Sequence, residues 1–106
     1  MDELIKILKA FAYPSRIRIT KLLEKKKFCV CELALILGIG QTRVSRHLKI
    51  LKNAGIVENV RKGKWIEYKL SKGKQNAKLL CIISGCLNDD SKIIEDSKKA
   101  KKIRKK

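Results

Sequence analysis

Four cysteines, one histidine and 27 lysines and arginines are the side chains of this sequence with chemistry to offer. Cys29 and Cys31 are separated by a single residue and follow Lys25-Lys26-Lys27. Cys81 and Cys86 stand further along, in a stretch rich in leucine and isoleucine. Thiolates are soft donors that select thiophilic ions such as arsenite, antimonite, cadmium, lead or copper(I) over magnesium or calcium. Residues two apart in a regular helix point about 200° from each other. Joint ligation by Cys29 and Cys31 therefore requires the backbone there to be extended or distorted. Cys81 and Cys86 project about 140° apart on a helix, and Gly85 is placed to break it between them. Cys81, among Leu79, Leu80, Ile82 and Ile83, reads first as a small core residue and second as a further ligand. Cys86 leaves both roles open. His47 has no second histidine or acid pair beside it, which favours packing or hydrogen bonding over metal ligation.

The cations are ordered. Between residues 41 and 52, Val44, Leu48 and Leu51 recur at helical spacing, while Gln41, Thr42, Ser45, Arg46 and Lys49 fall on the opposite face. Arg43 and Lys52 extend the positive surface. An apolar face backed by short polar and basic groups is what a helix needs to read base edges and phosphates in a major groove. A further basic turn, Arg61-Lys62-Gly63-Lys64, is suited to phosphate contacts that position without reading sequence. The whole chain carries a formal charge of +17, and the excess is not confined to one end. Residues 1 to 90 hold 19 basic and 8 acidic side chains, and residues 91 to 106 hold 8 and 2. Such a surface calls for a polyanionic partner. There is no glycine-rich phosphate loop or carboxylate constellation, so the chain does not read as an enzyme.

These groups need elements to hold them. Leu4, Leu8 and Phe11, widened by Ile5 and Ala12, predict a first helix over residues 3 to 12. Pro14 opens a second that runs to about Glu24. Glu32 to Leu37 predicts a short helix stopped by Gly38. Only Gly38-Ile39-Gly40 separates it from the helix carrying Val44, so the two must meet at a sharp angle, as in a helix-turn-helix. Residues 56 to 70 are β-branched and aromatic around the basic turn and predict a two-stranded hairpin, or wing. On it Trp65 and Tyr68 point to opposite sides. From about Gln75 to Leu87 a helix apolar on more than one face is expected to pack on its own domain and on a second subunit. The fold class is mostly α with a small β-hairpin, a winged helix-turn-helix. The expected division is residues 1–87 as a DNA-binding and dimerisation domain and residues 88–106 as a lysine-rich, disordered C-terminal tail. No apolar run approaches the ~18 to 20 residues that span a bilayer, and Met1-Asp2-Glu3 does not resemble a signal region. A cytoplasmic protein with no membrane partner and reduced thiols is expected.

Four stretches sharpen the pattern: Phe11 to Ile19 (FAYPSRIRI), Cys29 to Ala34 (CVCELA), Gln41 to Leu51 (QTRVSRHLKIL) and Gly63 to Leu70 (GKWIEYKL). In types and order they resemble the ArsR/SmtB family of metal- and thiol-responsive transcriptional repressors, over about residues 4 to 71. The resemblance implies a homodimer on a palindromic double-stranded DNA operator, released when an inducer binds. It places the base-contacting positions on Gln41, Thr42, Ser45 and Arg46, and puts Cys29 and Cys31 at the start of the first helix of the helix-turn-helix. A helix start beside lysines favours thiolates, and a site distorting that helix would disturb the recognition helix. The chain also departs from the family's patterns. Arsenite-responsive members with Cys-x-Cys-x-x-Cys have a third cysteine where Ala34 stands here. The cadmium and lead type adds cysteines from an N-terminal extension absent from this sequence, and the zinc type uses histidines on the last helix, where this chain has none. The implied function is a repressor released by a thiophilic metal or metalloid, arsenite first. Cys29 and Cys31 would bind it either as two ligands alone or with a third borrowed from Cys81 or Cys86 of either subunit, and with no organic cofactor. The alternatives are a repressor that senses oxidant or reactive sulfur through an N-terminal and a C-terminal cysteine, and a sequence-tolerant architectural DNA binder with steep salt dependence.

Overall fold

Pro14 sets the first corner of the chain. Helix α1 (Asp2–Ala10) ends just before it, and Tyr13 is held extended at φ −116° and ψ 134°, the conformation a following proline imposes. Pro14 then opens α2 (Pro14–Leu23) at a position where its missing N–H is not needed. After the lysine link come β1 (Phe28–Cys29), α3 (Val30–Leu37) and α4 (Gln41–Asn53). The hairpin of β2 (Val57–Lys62) and β3 (Trp65–Leu70) follows, and α5 (Ser91–Ile103) is the last element. The structure, a computed structural model, describes residues 2–71 and 91–103. The helix expected over Gln75 to Leu87, its dimer contacts, Cys81 and Cys86 lie outside the described residues.

Two glycines make the sharp joints. Gly38 adopts φ +73° and its N–H donates to Ala34 O at 2.9 Å, which ends α3 and turns the chain toward α4 within three residues. Gly55, at φ +79°, ends α4 with paired bonds from its own N–H to Lys52 O (3.0 Å) and from Ile56 N–H to Leu51 O (2.9 Å). That double closure aims Ile56 into the core and launches the wing. Val44, Leu48 and Leu51 of α4 are fully buried with Ile19, Leu33, Ile36, Phe28 and Ile56. Helix α4 is therefore seated by the same residues that make the core.

The structure differs from the sequence reading in three places. First, the hairpin is part of a three-stranded antiparallel sheet of order β1-β3-β2, in which Phe28 pairs with Tyr68 and Cys29 with Glu67. A two-residue strand is too short to show alternation. Second, α1 buries Ile7 and Ala10, with Phe11 buried just beyond its end, while Leu4, Ile5 and Leu8 are exposed. The apolar side chains of α1 thus form two faces, one on this core and one facing outward. Third, residues 91–103 of the expected disordered tail are a helix packed on α2 and α3. Ile93 and Ala100 are buried, and Asp96 accepts a two-pronged ion pair from Arg18, with Nε to Oδ2 at 2.7 Å and Nη2 to Oδ1 at 2.8 Å. A charged residue at the centre of its packed face hid this helix from a hydrophobic pattern. No helix among the described residues is long and apolar enough to cross a membrane.

Candidate functional site

The outer face of α4 presents Gln41, Thr42, Arg43, Ser45, Arg46 and Lys49 to solvent. None is needed for the core, so all six are available to a ligand laid along the helix. At the wing, β2 and β3 pair in register from Val57 with Leu70 to Lys62 with Trp65. Gly63 (φ +59°) and Lys64 make the two-residue turn. Arg61, Lys62 and Lys64 are exposed at its tip. The structure thus brings the expected cations onto two protruding elements, a helix face and a hairpin tip. Tyr68 packs against the core while Trp65 is exposed, as their opposite strand faces require.

His47 lies at the flank of α4 and is half-buried. Its Nδ1 accepts a hydrogen bond from Arg16 Nε–H at 3.3 Å, so the ring is neutral there and carries its proton on Nε2. Burial, then Arg16, Arg43 and Arg46, hold its pKa below the usual histidine value. Arg16, itself buried, also donates to Lys9 O at 3.2 Å and Ala10 O at 3.5 Å, and its guanidinium lies 4.3 Å over the Tyr13 ring. The negative end of α1 and an aromatic face together accommodate this cation. The packing role expected of His47 now has its geometry: Arg16 ties the end of α1, the start of α2 and the flank of α4 into one joint. Arg16 lies in the Phe11 to Ile19 stretch, where nothing in its spacing marks this role.

Cys29 and Cys31 come together. Cys29 is the residue before α3, extended at φ −93° and ψ 170°, while Cys31 lies in the first turn. That change of backbone conformation removes the helical divergence, and the two Sγ atoms lie 3.1 Å apart. Glu32 completes the group: its Oε1 accepts the Cys29 N–H at 3.0 Å and the Cys29 S–H at 3.4 Å. The first contact satisfies an N–H at the start of α3, as the glutamate of a capping box does. Cys29 and Glu32 have the spacing of that box with cysteine in place of serine, a signal the sequence reading passed over. The expectation of a thiolate at Cys29 is corrected. Burial, the shared hydrogen bond with Cys31 and the Glu32 carboxylate push this thiol up to about 11, outweighing the helix start. Two soft sulfurs in contact suit a thiophilic ion, but the described residues hold no group of three or more metal-binding side chains.

A sharp helix pair whose second helix faces solvent, followed by a basic antiparallel hairpin, defines a winged helix-turn-helix protein. The family profile "Bacterial regulatory protein, arsR family" matches residues 13–59. An HTH-type transcriptional regulator of Methanocaldococcus jannaschii is 43% identical over 68 residues, covering 63% of this chain and 76% of that protein. The arsenical resistance operon repressor of Escherichia coli is 38% identical over 68 residues, covering 63% of this chain and 58% of the repressor. Among solved structures, the homodimeric winged helix-turn-helix DNA-binding domain Mb0332 of Mycobacterium bovis, described as a possible ArsR-family regulator, superposes with a TM-score of 0.72 at 30% identity. The match covers 79% of this chain and 77% of that one. The chain belongs to the ArsR family. It spans 51% to 58% of the length of the first curated arsenic-resistance relatives it matches.

Proposed function

We propose that this chain is a transcriptional repressor that binds a double-stranded DNA operator as a homodimer and leaves it when a thiophilic metal or metalloid, arsenite first, is bound by Cys29 and Cys31. The DNA-binding half of the reading rests on the exposed polar face of α4, with Gln41, Thr42, Ser45 and Arg46 at base edges and Arg43 and Lys49 on phosphates. Arg61, Lys62 and Lys64 of the wing add phosphate contacts. The outward apolar face of α1, Leu4, Ile5 and Leu8, supports a second copy as partner, as does the homodimeric neighbour from Mycobacterium bovis.

The inducer half rests on one observation, the 3.1 Å approach of the two sulfurs. Cys29 belongs to two elements at once. It precedes α3, the helix packed on α4, and it pairs with Glu67 of the wing's central strand. Drawing both sulfurs onto one ion pulls on the start of α3 and on the β1-β3 ladder, so both DNA-facing elements are placed under one control. The two sulfurs would hold it alone, or Cys81 or Cys86 of either subunit would supply a third ligand. No organic cofactor enters the mechanism.

The test is fluorescence anisotropy of labelled DNA from the region upstream of the protein's own gene, with reduced protein bound and arsenite titrated at fixed salt. Release at about one arsenite per subunit is expected. Cys29→Ser with Cys31→Ser is expected to bind the same DNA and to remain bound as arsenite is added. A double variant that still responds normally eliminates the proposed thiol site. A wild-type complex that survives excess arsenite but dissociates with oxidant, and re-forms with reductant, favours thiol oxidation instead, a reading the same sulfur contact supports. Equal affinity for unrelated DNA would favour the architectural binder.

A further inference from the structure

Trp65, the only tryptophan of the chain, is 62% exposed. It opens β3 at the wing tip, directly across the ladder from Lys62. Strand alternation explains why it cannot turn inward. Val57, Tyr68 and Leu70 occupy the core-facing side of the hairpin, so Lys62 and Trp65 fall on the outer side. A large apolar ring held in water is a poor contribution to a single chain's stability, and tryptophan is the residue type that most often marks a contact surface. Its neighbours decide what kind. Arg61, Lys62 and Lys64 are all exposed around it. A second copy of this chain would bring a +17 molecule against that tip. A nucleic acid duplex brings phosphates for the cations and, between them, the sugar walls and base edges of a groove for the indole.

We infer that Trp65 is a DNA contact residue, its indole seated on the minor-groove walls beside the segment read by α4 while Arg61, Lys62 and Lys64 hold the flanking phosphates. The inference rests on the proposed DNA-binding reading and extends it from charge to a shape-fitting contact. It assigns to the wing a part of the binding free energy that salt does not screen.

Because the chain has one tryptophan, its fluorescence reports on this site alone. Acrylamide quenching of the full chain is measured with and without a duplex from the region upstream of its gene, and anisotropy of the same labelled duplex records binding in parallel. The expected result is clear protection of Trp65 in the bound state. Trp65→Ala is expected to weaken binding about 5- to 10-fold, equivalent to roughly 1–1.4 kcal/mol, with an unchanged salt slope. Lys62→Ala is expected to reduce that slope by about one. Bound duplex with unaltered quenching, or a Trp65→Ala affinity within twofold of wild type, overturns the inference and leaves the DNA-binding reading standing. Protection that grows with protein concentration in the absence of DNA overturns it in favour of an interface between copies. Failure of the wild-type chain to bind any duplex overturns both.

Discussion

Replacing Asp96 by asparagine tests whether α5 is an integral part of the domain. The Asp96 side chain is 2% exposed and meets Arg18, 15% exposed, through two short bonds. Removing one partner of a buried ion pair costs roughly 3–5 kcal/mol, mostly because the other charge is left without compensation. Here the survivor would be Arg18, which keeps some access to water, so Asp96→Asn is expected to cost about 2–3 kcal/mol. That corresponds to a fall in Tm of roughly 10–20 °C for a domain of this size. Arg18→Met, which strands the deeper carboxylate, should cost more than Asp96→Asn. The double replacement Arg18→Met with Asp96→Leu should recover most of the loss, because neither charge is then buried alone. The assay is urea unfolding at one fixed protein concentration, since the stability of the proposed dimer would depend on concentration, with amide hydrogen exchange over residues 91–103 as a local readout. An Asp96→Asn protein within about 0.5 kcal/mol of wild type, with exchange over residues 91–103 unprotected in both, would refute the argument. It would restore the picture of a loose lysine-rich tail.

Two further outcomes concern α4. Arg46→Ala is expected to lower the preference for operator over unrelated DNA by roughly 1–3 kcal/mol, read as the ratio of two anisotropy titrations; an unchanged ratio would remove Arg46 from base reading. His47 titrates below its ordinary value of 6.5 in the fold, so the unfolded chain binds more protons between that lowered value and 6.5. Stability should therefore decline as pH falls through that window, and His47→Gln should flatten the decline; equally steep urea midpoints in both proteins would show that His47 is not the group responsible.

The parts of this fold that were legible in the sequence are those with a repeated pattern and a marked stop. Val44, Leu48 and Leu51 repeat at helical spacing, and Gly38 and Gly55 mark the ends of α3 and α4 where left-handed backbone is required. The exposed polar face of α4 followed from the same pattern, as the complement of the apolar stripe. Strand β1 and helix α5 carry no such pattern. Strand β1 is two residues long. In α5 an aspartate sits at the middle of the packed face, so its burial depends on Arg18, 78 positions earlier. For the cysteines, spacing alone placed the sulfurs on opposite sides of a helix. Only a helix boundary falling between Cys29 and Val30 brings them into contact. The direction of the Cys29 shift depends on burial and on where Glu32 points, and neither can be read from neighbouring lysines in the chain.

That shift also bears on which inducer the thiol pair would suit. With its pKa near 11, Cys29 keeps its proton at neutral pH. Capture of a bare divalent cation by two thiols must drive two protons into solution, and a raised pKa opposes this directly. A neutral metalloid hydroxide makes a different exchange. Each S–H and As–OH bond is replaced by an S–As bond and an O–H bond of water, so two thiols release two waters and no net proton leaves. A protonated, partly buried Cys29 is compatible with that reaction and works against the ionic one. In the proposed exchange, Glu32, which accepts both the S–H and the backbone N–H of Cys29, would be the group placed to carry the proton from sulfur to the departing oxygen. The same carboxylate holds the first turn of α3. In the proposed mechanism, the reaction that consumes the Cys29 proton therefore acts on the contact that caps the helix packed against the recognition helix.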